Sequence, residues 1–448
     1  MNDLLAARSQ MAMSLAFHII FAAIGIAMPL LMVIAEYLWL RSKEEVYLQL
    51  AKKWAKGTAI LFAVGAVSGT VLSFELGLLW PGFMGYAGSI IGMPFSLEGF
   101  AFFTEAIFLG IYLYGWDRVS PRSHLLSGVI VSISGALSGI FVVIANSWMN
   151  SPTGFDIIDG KPANVDPIAA MANPMAVSQC LHMTIAAYAA TGFIVAGIHA
   201  FLLRRDRNNV FHRRALAIAL TVGGIAAILQ PVSGDLSARS VARNQPVKLA
   251  ALEAHFDTEK GAPLNIGGLP DVEKGETYYA LKIPYGLSLL AFHDPNSTVR
   301  GLNDFPRDEW PNPVIVHTAF QLMVGLGTLM ALMAVWAIFV WWRHRRLPDG
   351  KWFLLCLVWS SPAGMLAIEA GWTVTEVGRQ PWIIQGFMRT SEAVTPMPGL
   401  VVPFLLFTLL YLFLAVVVGW LLWRQVAQSP NYDFTKRDPA DKEISLVA

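Results

Sequence analysis

Nine separate stretches of this chain are apolar for long enough to cross a lipid bilayer, and that pattern leaves one kind of architecture open. A span needs about 20 apolar residues at a rise of about 1.5 Å each. Such stretches run near residues 11–40, 55–79, 94–114, 125–148, 176–203, 216–232, 314–342, 353–374 and 400–423. In hydrocarbon every backbone N–H and C=O must be satisfied within the segment, so each stretch is expected to be a helix. Only 14% of the 448 residues are charged, against about a quarter in a soluble domain. The expected fold is an all-α integral membrane protein with about nine transmembrane helices. A net charge of +1 gives no bulk electrostatic case for nucleic acid. Cys180 and Cys356 are the only cysteines, which argues against a disulfide framework or a cysteine metal cluster. The first stretch is far longer than a signal-peptide core and lacks a basic start, so it is expected to be retained.

Lysine and arginine then set the orientation. One alternating set of connections carries Arg41, Lys43, Lys52, Lys53 and Lys56, then Arg118 and Arg122. The same set continues with Arg204, Arg205, Arg207, Arg213 and Arg214, and with Arg343, Arg345, Arg346 and Lys351. The intervening short connections are nearly free of them: 80–93 has none, and 149–175 has Lys161 against Asp156, Asp159 and Asp166. The amino terminus is therefore expected outside, and the tail with Lys436, Arg437 and Lys442 inside. Four regions follow: six helices over 1–232, a long outer loop over 233–312, three helices over 313–424, and a cytoplasmic tail over 425–448. The loop mixes charge, Gly and Pro with Leu, Ala and Tyr, which argues against simple disorder.

Ionisable groups inside spans are costly and mark candidate sites. His18 is expected about 10 Å below the outer end of the first span. His182 falls one to two turns into the fifth, Met323 a similar distance into the seventh, and Glu376 at the outer end of the eighth. His and Met from two helices suit a six-coordinate, electron-transfer heme; His or a carboxylate on one face leaves a position open for dioxygen. Taken singly, each has a plainer role: a hydrogen-bonded helical His, a packed Met, a Glu376–Arg379 ion pair. Glu98 and Glu105 lie seven apart on one face of the third span, a proton relay or a hydrogen-bonded structural pair. Ser68, Ser73 and Ser138 line a wet path or join helices. His317, Glu369 and Glu75 carry no assigned role.

Several segments carry a family pattern. Gly378-Arg379-Gln380-Pro381-Trp382 is a turn with a fixed cation at a membrane boundary. With it stand Ser14-Leu15-Ala16-Phe17-His18, the segment Glu98 to Glu105, Gly115-Trp116-Asp117-Arg118, Leu181-His182, Lys248 to Glu253, and Met323-Val324-Gly325-Leu326-Gly327. In this order they resemble subunit I of the cytochrome bd quinol oxidases over nearly the whole chain.

The resemblance implies a heme-bearing subunit of a terminal oxidase in the bacterial cytoplasmic membrane. Such an enzyme oxidises ubiquinol or menaquinol at the outer face and reduces dioxygen to water with cytoplasmic protons, without pumping. It implies His182 and Met323 as ligands of a low-spin heme b, and His18 and Glu376 as ligands of two high-spin hemes. The cofactors are then two hemes b with a heme d or a third heme b. Trp372, Arg379 and Glu98 support that site, and Lys248 and Glu253 of the loop, of the short kind, meet quinol. A proton route maps onto Asp117, Lys56, Ser138, Glu105 and Glu98. Partners implied are a second homologous membrane subunit and, in some members, a small single-span one. Two positions depart from some members: Gln321 replaces an Arg two residues before Met323, and Ser73 replaces a carboxylate, with Glu75 offset by two. Alternatives are the cyanide-insensitive branch of the same family, a heme electron-transfer module without oxygen chemistry, and a proton channel built on Glu98 and Glu105.

Overall fold

The computed structural model describes residues 1–427, and the tail residues Lys436, Arg437 and Lys442 lie outside them. Among the described residues nine helices are long and apolar enough to span a membrane. They are α1 (Asp3–Ser42), α2 (Glu45–Leu79), α3 (Pro81–Tyr114), α4 (Pro121–Asn150), α5 (Ala176–Leu203), α6 (Val210–Asn244), α7 (Pro313–His344), α8 (Lys351–Val377) and α9 (Val401–Ala427). The fold is all-α, as the apolar stretches require. The short connections force antiparallel neighbours. One end of the bundle collects the turns at Lys43, Arg118, Arg204 and Arg345, and is called the basic end here. The opposite, loop end carries Trp80 and the long connections.

The apolar runs understate the helices. α1 begins at Asp3 and α3 at Pro81, eight and thirteen residues before their apolar stretches. α6 continues past Pro231 and the polar Ser233-Gly234-Asp235 to Asn244. Apolarity ends where lipid ends, but backbone hydrogen bonding does not, and Pro231 removes only one N–H from the ladder. The long loop is therefore shorter than expected, beginning at Gln245.

That loop is folded. A helix, Pro246–Leu252, opens it, and three small antiparallel ribbons follow, pairing Glu259–Lys260 with Thr298–Val299, Leu264–Ile266 with Leu281–Ile283, and Leu269–Asp271 with Glu276–Tyr278. Ala250, Ala251, Leu252, Phe256 and Leu302 pack with Val316 of α7 and Val374 of α8, which seats the loop on the ends of two helices.

α5, α8 and α6 are the most buried spans, and small residues let them touch. A Cβ on Gly192 of α5 would meet Gly223 Cα of α6 at 2.4 Å, and one on Gly364 of α8 would meet Ala190 Cα at 2.3 Å. Without a hydrophobic drive inside lipid, such close backbone packing holds helices together. α8 breaks at Ser361–Pro362 into Lys351–Ser360 and Ala363–Val377.

Candidate functional site

The Gly-Arg-Gln-Pro-Trp turn caps α8 and holds the most connected polar cluster at the loop end. Arg379 is 2% exposed, and its Nη2 donates to Glu376 Oε2 at 2.5 Å. Asn146 Nδ2, from α4, donates to Glu376 Oε1 at 2.6 Å. Arg379 Nε and Nη1 are buried with no protein partner. A buried guanidinium with two free donors favours an anion at that edge. The Gln380–Pro381 peptide is cis, and Thr390 Oγ1 donates to Gln380 Oε1 at 2.8 Å, closing the turn.

Lys248 joins this cluster from the loop. Its Nζ donates to Asn150 Oδ1 at 2.7 Å and to Thr375 O at 3.3 Å. Its stem crosses Gly378, where a Cβ would lie 3.2 Å from Lys248 Cγ and Cε. Burial, with the nearby Arg379 cation, lowers its pKa to about 7, against an opposing pull from Glu376. Glu253 closes the same short helix but faces elsewhere. It is 1% exposed, and neither carboxylate oxygen has a partner at hydrogen-bonding geometry. Burial raises its pKa to about 8, with a smaller opposing contribution from the Asn265 backbone.

The histidines are oriented from neighbouring helices. His18 Nδ1 lies 2.9 Å from Ser68 Oγ of α2, and a Cβ on Gly69 would touch its Cε1 at 3.0 Å. Because α1 begins early, His18 stands fifteen residues from the helix start, although still seven residues from the start of the apolar run. His182 Nδ1 lies 3.0 Å from Ser233 Oγ of α6, with Gln230 Nε2 at 3.1 Å from His182 Nε2. Met323 Sδ lies over Gly371 of α8, where a Cβ would come within 3.0 Å. Trp372 packs with the cluster of Ala23, Ile26, Met365 and Ile368.

On α3, Glu98 accepts from Ser138 Oγ of α4 at 3.1 Å, and the buried Glu105 lies against Gly135, where a Cβ would sit 3.2 Å from Oε1. With α3 starting at Pro81, Glu98 stands at mid-helix. Lys56 and Asp117 are exposed at the basic end.

Several partners were not legible as site residues. Gln321 Nε2 donates to Asn265 O and its Oε1 accepts from Gly267 N, both at 2.9 Å, so this departure from Arg clamps the loop. His317 bridges Leu252 O at 2.7 Å and Gly267 O at 3.0 Å. Glu75 accepts from Gln10 at 2.8 Å and Ser14 at 3.0 Å, whereas Ser73 is exposed and bonds only its own helix. Asn146, Asn150, Gln230 and Ser233 are common in helices and gave no separate signal.

The donor set fits heme. Two imidazoles, a thioether against glycine, and a carboxylate gripped by a guanidinium with spare donors are chemistry for iron and for propionates.

The family model for cytochrome bd terminal oxidase subunit I matches residues 6–430. The chain is 39% identical over 453 residues, covering all of both chains, to the putative cytochrome bd menaquinol oxidase subunit I of Bacillus subtilis (strain 168). It is 31% identical, covering 99% of each, to the cytochrome bd ubiquinol oxidase subunit 1 of the same strain. The solved bd oxidase from Geobacillus thermodenitrificans superposes with a TM-score of 0.89 at 40% identity, covering 96% of this chain and 100% of that one.

Proposed function

We infer the workings of this chain from one premise: it belongs to the cytochrome bd terminal oxidase subunit I family. It is a multi-pass bacterial inner-membrane protein and the heme-bearing subunit of a quinol:oxygen oxidoreductase. The finer roles are proposals. His182 and Met323 hold a low-spin heme b, and His18 and Glu376 hold the two high-spin hemes, of which one is heme d or a third heme b. When bound, the hemes carry electrons from quinol and present dioxygen with an open iron position. A second homologous membrane subunit, with a small single-span one in some complexes, completes the oxidase.

The protein's own part is positional and electrostatic. Ser68 fixes the ring orientation of His18 through Nδ1, which leaves Nε2 toward a ligand position, while Ser233 holds His182 through Nδ1 and Gln230, now against His182 Nε2, gives way to the ligand there. Arg379 and Asn146 hold the Glu376 carboxyl in place, one on each oxygen, and Arg379 keeps donors for a propionate. Lys248 and Glu253 bind quinol at the loop end, and Glu253, protonated at neutral pH by its raised pKa, releases its proton outward and as the carboxylate then accepts one from quinol. Glu105 and Glu98 lead protons from the basic end. Loop end outside and basic end inside follow the Lys/Arg asymmetry. Electrons and protons then reach dioxygen from opposite faces, so charge separates without a pump.

The single observation that carries this reading is the buried Arg379, bonded to Glu376 and left with two unpartnered donors. The test is a reduced-minus-oxidised visible spectrum of the purified oxidase with heme extraction. A far-red chlorin band beside b-type bands is expected of a heme d enzyme, and b-type bands alone of the cyanide-insensitive branch. Absence of heme sinks the reading and favours a channel.

A further inference from the structure

The seam between α3 and α4 carries a polar stripe that extends beyond Glu98 and Glu105. Tyr112 is seven residues on from Glu105, as Glu105 is from Glu98, so all three share one face of α3. α4 answers with small residues at the same interval. A Cβ on Gly128 would lie 2.7 Å from the Tyr112 ring, as one on Gly135 would lie 3.2 Å from Glu105. At the basic end of this seam sits a buried pair: His124 Nδ1 and Glu36 Oε1, 2.8 Å apart, 2% and 0% exposed.

The hydrogen bonds of the pair fix its proton count. His124 Nε2 lies 2.9 Å from the Tyr112 carbonyl, which only accepts, so Nε2 carries a hydrogen. The 2.8 Å contact between Nδ1 and Oε1 then needs one proton between them, whichever atom holds it. Glu36 Oε2 has no partner at good hydrogen-bonding geometry, and the Tyr112 hydroxyl, which lies toward Glu36, makes no other hydrogen bond. Buried polar atoms are ordinarily satisfied. The Tyr112 hydroxyl faces Glu36 as a donor, and Oε2, the oxygen that His124 does not use, is the one open to a second proton and to the group that delivers it. The cluster also meets the surface: the Trp116 ring is 3.9 Å from His124 with Lys52 5.3 Å above it, and Asp117 follows Trp116 in the chain.

We propose that Glu36 and His124, with the Tyr112 hydroxyl, form the proton-loading group through which protons from the basic end enter the route to Glu105. A proton arriving on Glu36 Oε2 adds to the one already shared with His124. Its onward transfer to Glu105 returns the pair to one proton. About 10 Å of helix rise separates Tyr112 from Glu105, a distance bridged by water rather than by direct contact. Lys56 and Asp117 then collect protons at the surface and are not the buried relay. This inference rests on the proposed uptake of protons at the basic end through Glu105.

The test uses the whole oxidase in liposomes, comparing the parent with E36Q, H124Q, Y112F and E105Q. Heme content, the rate of low-spin heme reduction by quinol, turnover, and proton uptake followed by a pH dye are read on each. Expected are losses of tenfold or more in proton uptake and turnover for E36Q and H124Q, and two- to fivefold for Y112F with a larger solvent deuterium effect. Heme content and quinol-driven heme reduction stay at the parent level, which a merely structural role would not spare. Parent-like uptake in E36Q beside a collapsed E105Q overturns the loading group and leaves the Glu105 route standing. Parent-like uptake in E105Q overturns that route itself, and the loading group with it. If E36Q and H124Q do not assemble, Y112F decides alone, and an unchanged uptake and isotope effect in it overturn the proposal.

Discussion

Arg379 and Glu376 form an ion pair at 2.5 Å one helical turn apart, with the arginine 2% exposed and Asn146 on the other carboxylate oxygen at 2.6 Å. Three elements meet there: the end of α8, the turn that follows it, and α4. Removing the arginine leaves the partly buried Glu376 without its cation, at a cost below the about 3–5 kcal/mol of a fully buried pair. Arg379→Leu is therefore expected to lower the thermal midpoint and to deplete the heme assigned to Glu376, while the low-spin band at His182 and Met323 persists. Heme extraction with a difference spectrum checks it. A full heme complement in Arg379→Leu removes the residue from that role.

Met323 lies over Gly371, and no side chain fits between them. A Cβ there would press on the sulfur at 3.0 Å, and overpacking of this kind costs about 1–3 kcal/mol. Gly371→Ala is expected to shift the low-spin heme band and slow its reduction by quinol, leaving high-spin bands in place. A redox titration followed at the low-spin band reads the change, and an unaltered midpoint argues against Met323 as a ligand.

Glu253 makes stability depend on pH. Its folded pKa, raised by burial to about 8 from an ordinary 4.5, means the folded protein binds more protons than the unfolded chain between those values. Stability from this group is full below about 4.5 and is lost as pH rises through about 8. Lys248 acts oppositely and higher: with a folded pKa lowered to about 7 from 10.5, its contribution rises with pH across that window. Glu253→Gln is expected to flatten the decline between pH 5 and 8, raising the melting midpoint at pH 8 by about 2–4 °C. Thermal melts of parent and variant across that range decide. Parallel curves count against a buried, protonated Glu253.

Gln321 clamps the loop by its backbone at Asn265 and Gly267. Gln321→Ala leaves a part-buried acceptor and donor short of partners, a cost of about 1 kcal/mol, felt locally. Faster proteolysis within the loop and a several-fold higher KM for quinol are expected, with heme spectra unchanged. A protease-resistant loop with a raised KM would place the effect at the quinol itself.

The helices were legible because lipid demands length and apolarity together, and α5 matches its apolar run end for end at Ala176–Leu203. What escaped was whatever apolarity does not mark. The polar last turns of α6 and the early starts of α1 and α3 are held by backbone bonding beyond their apolar runs. The ion pair of Arg379 with Glu376 was readable from an i, i+3 spacing, but Asn146 was not, since it arrives from a helix 230 residues away in sequence. Gln321 stood out only as a departure from a pattern; its loop contacts exist only once the loop has folded. The pairing of Glu36 with His124 spans 88 residues and two helices, with no local motif to announce it.

The most direct measurement is the charge carried across the membrane per electron during quinol oxidation by the purified oxidase in liposomes, with the pH on both sides followed. Protons released at the loop end and consumed from the basic end predict one elementary charge for each electron, with acidification outside and alkalinisation inside. No charge movement at full turnover, with protons taken up where quinol releases them, would contradict the account.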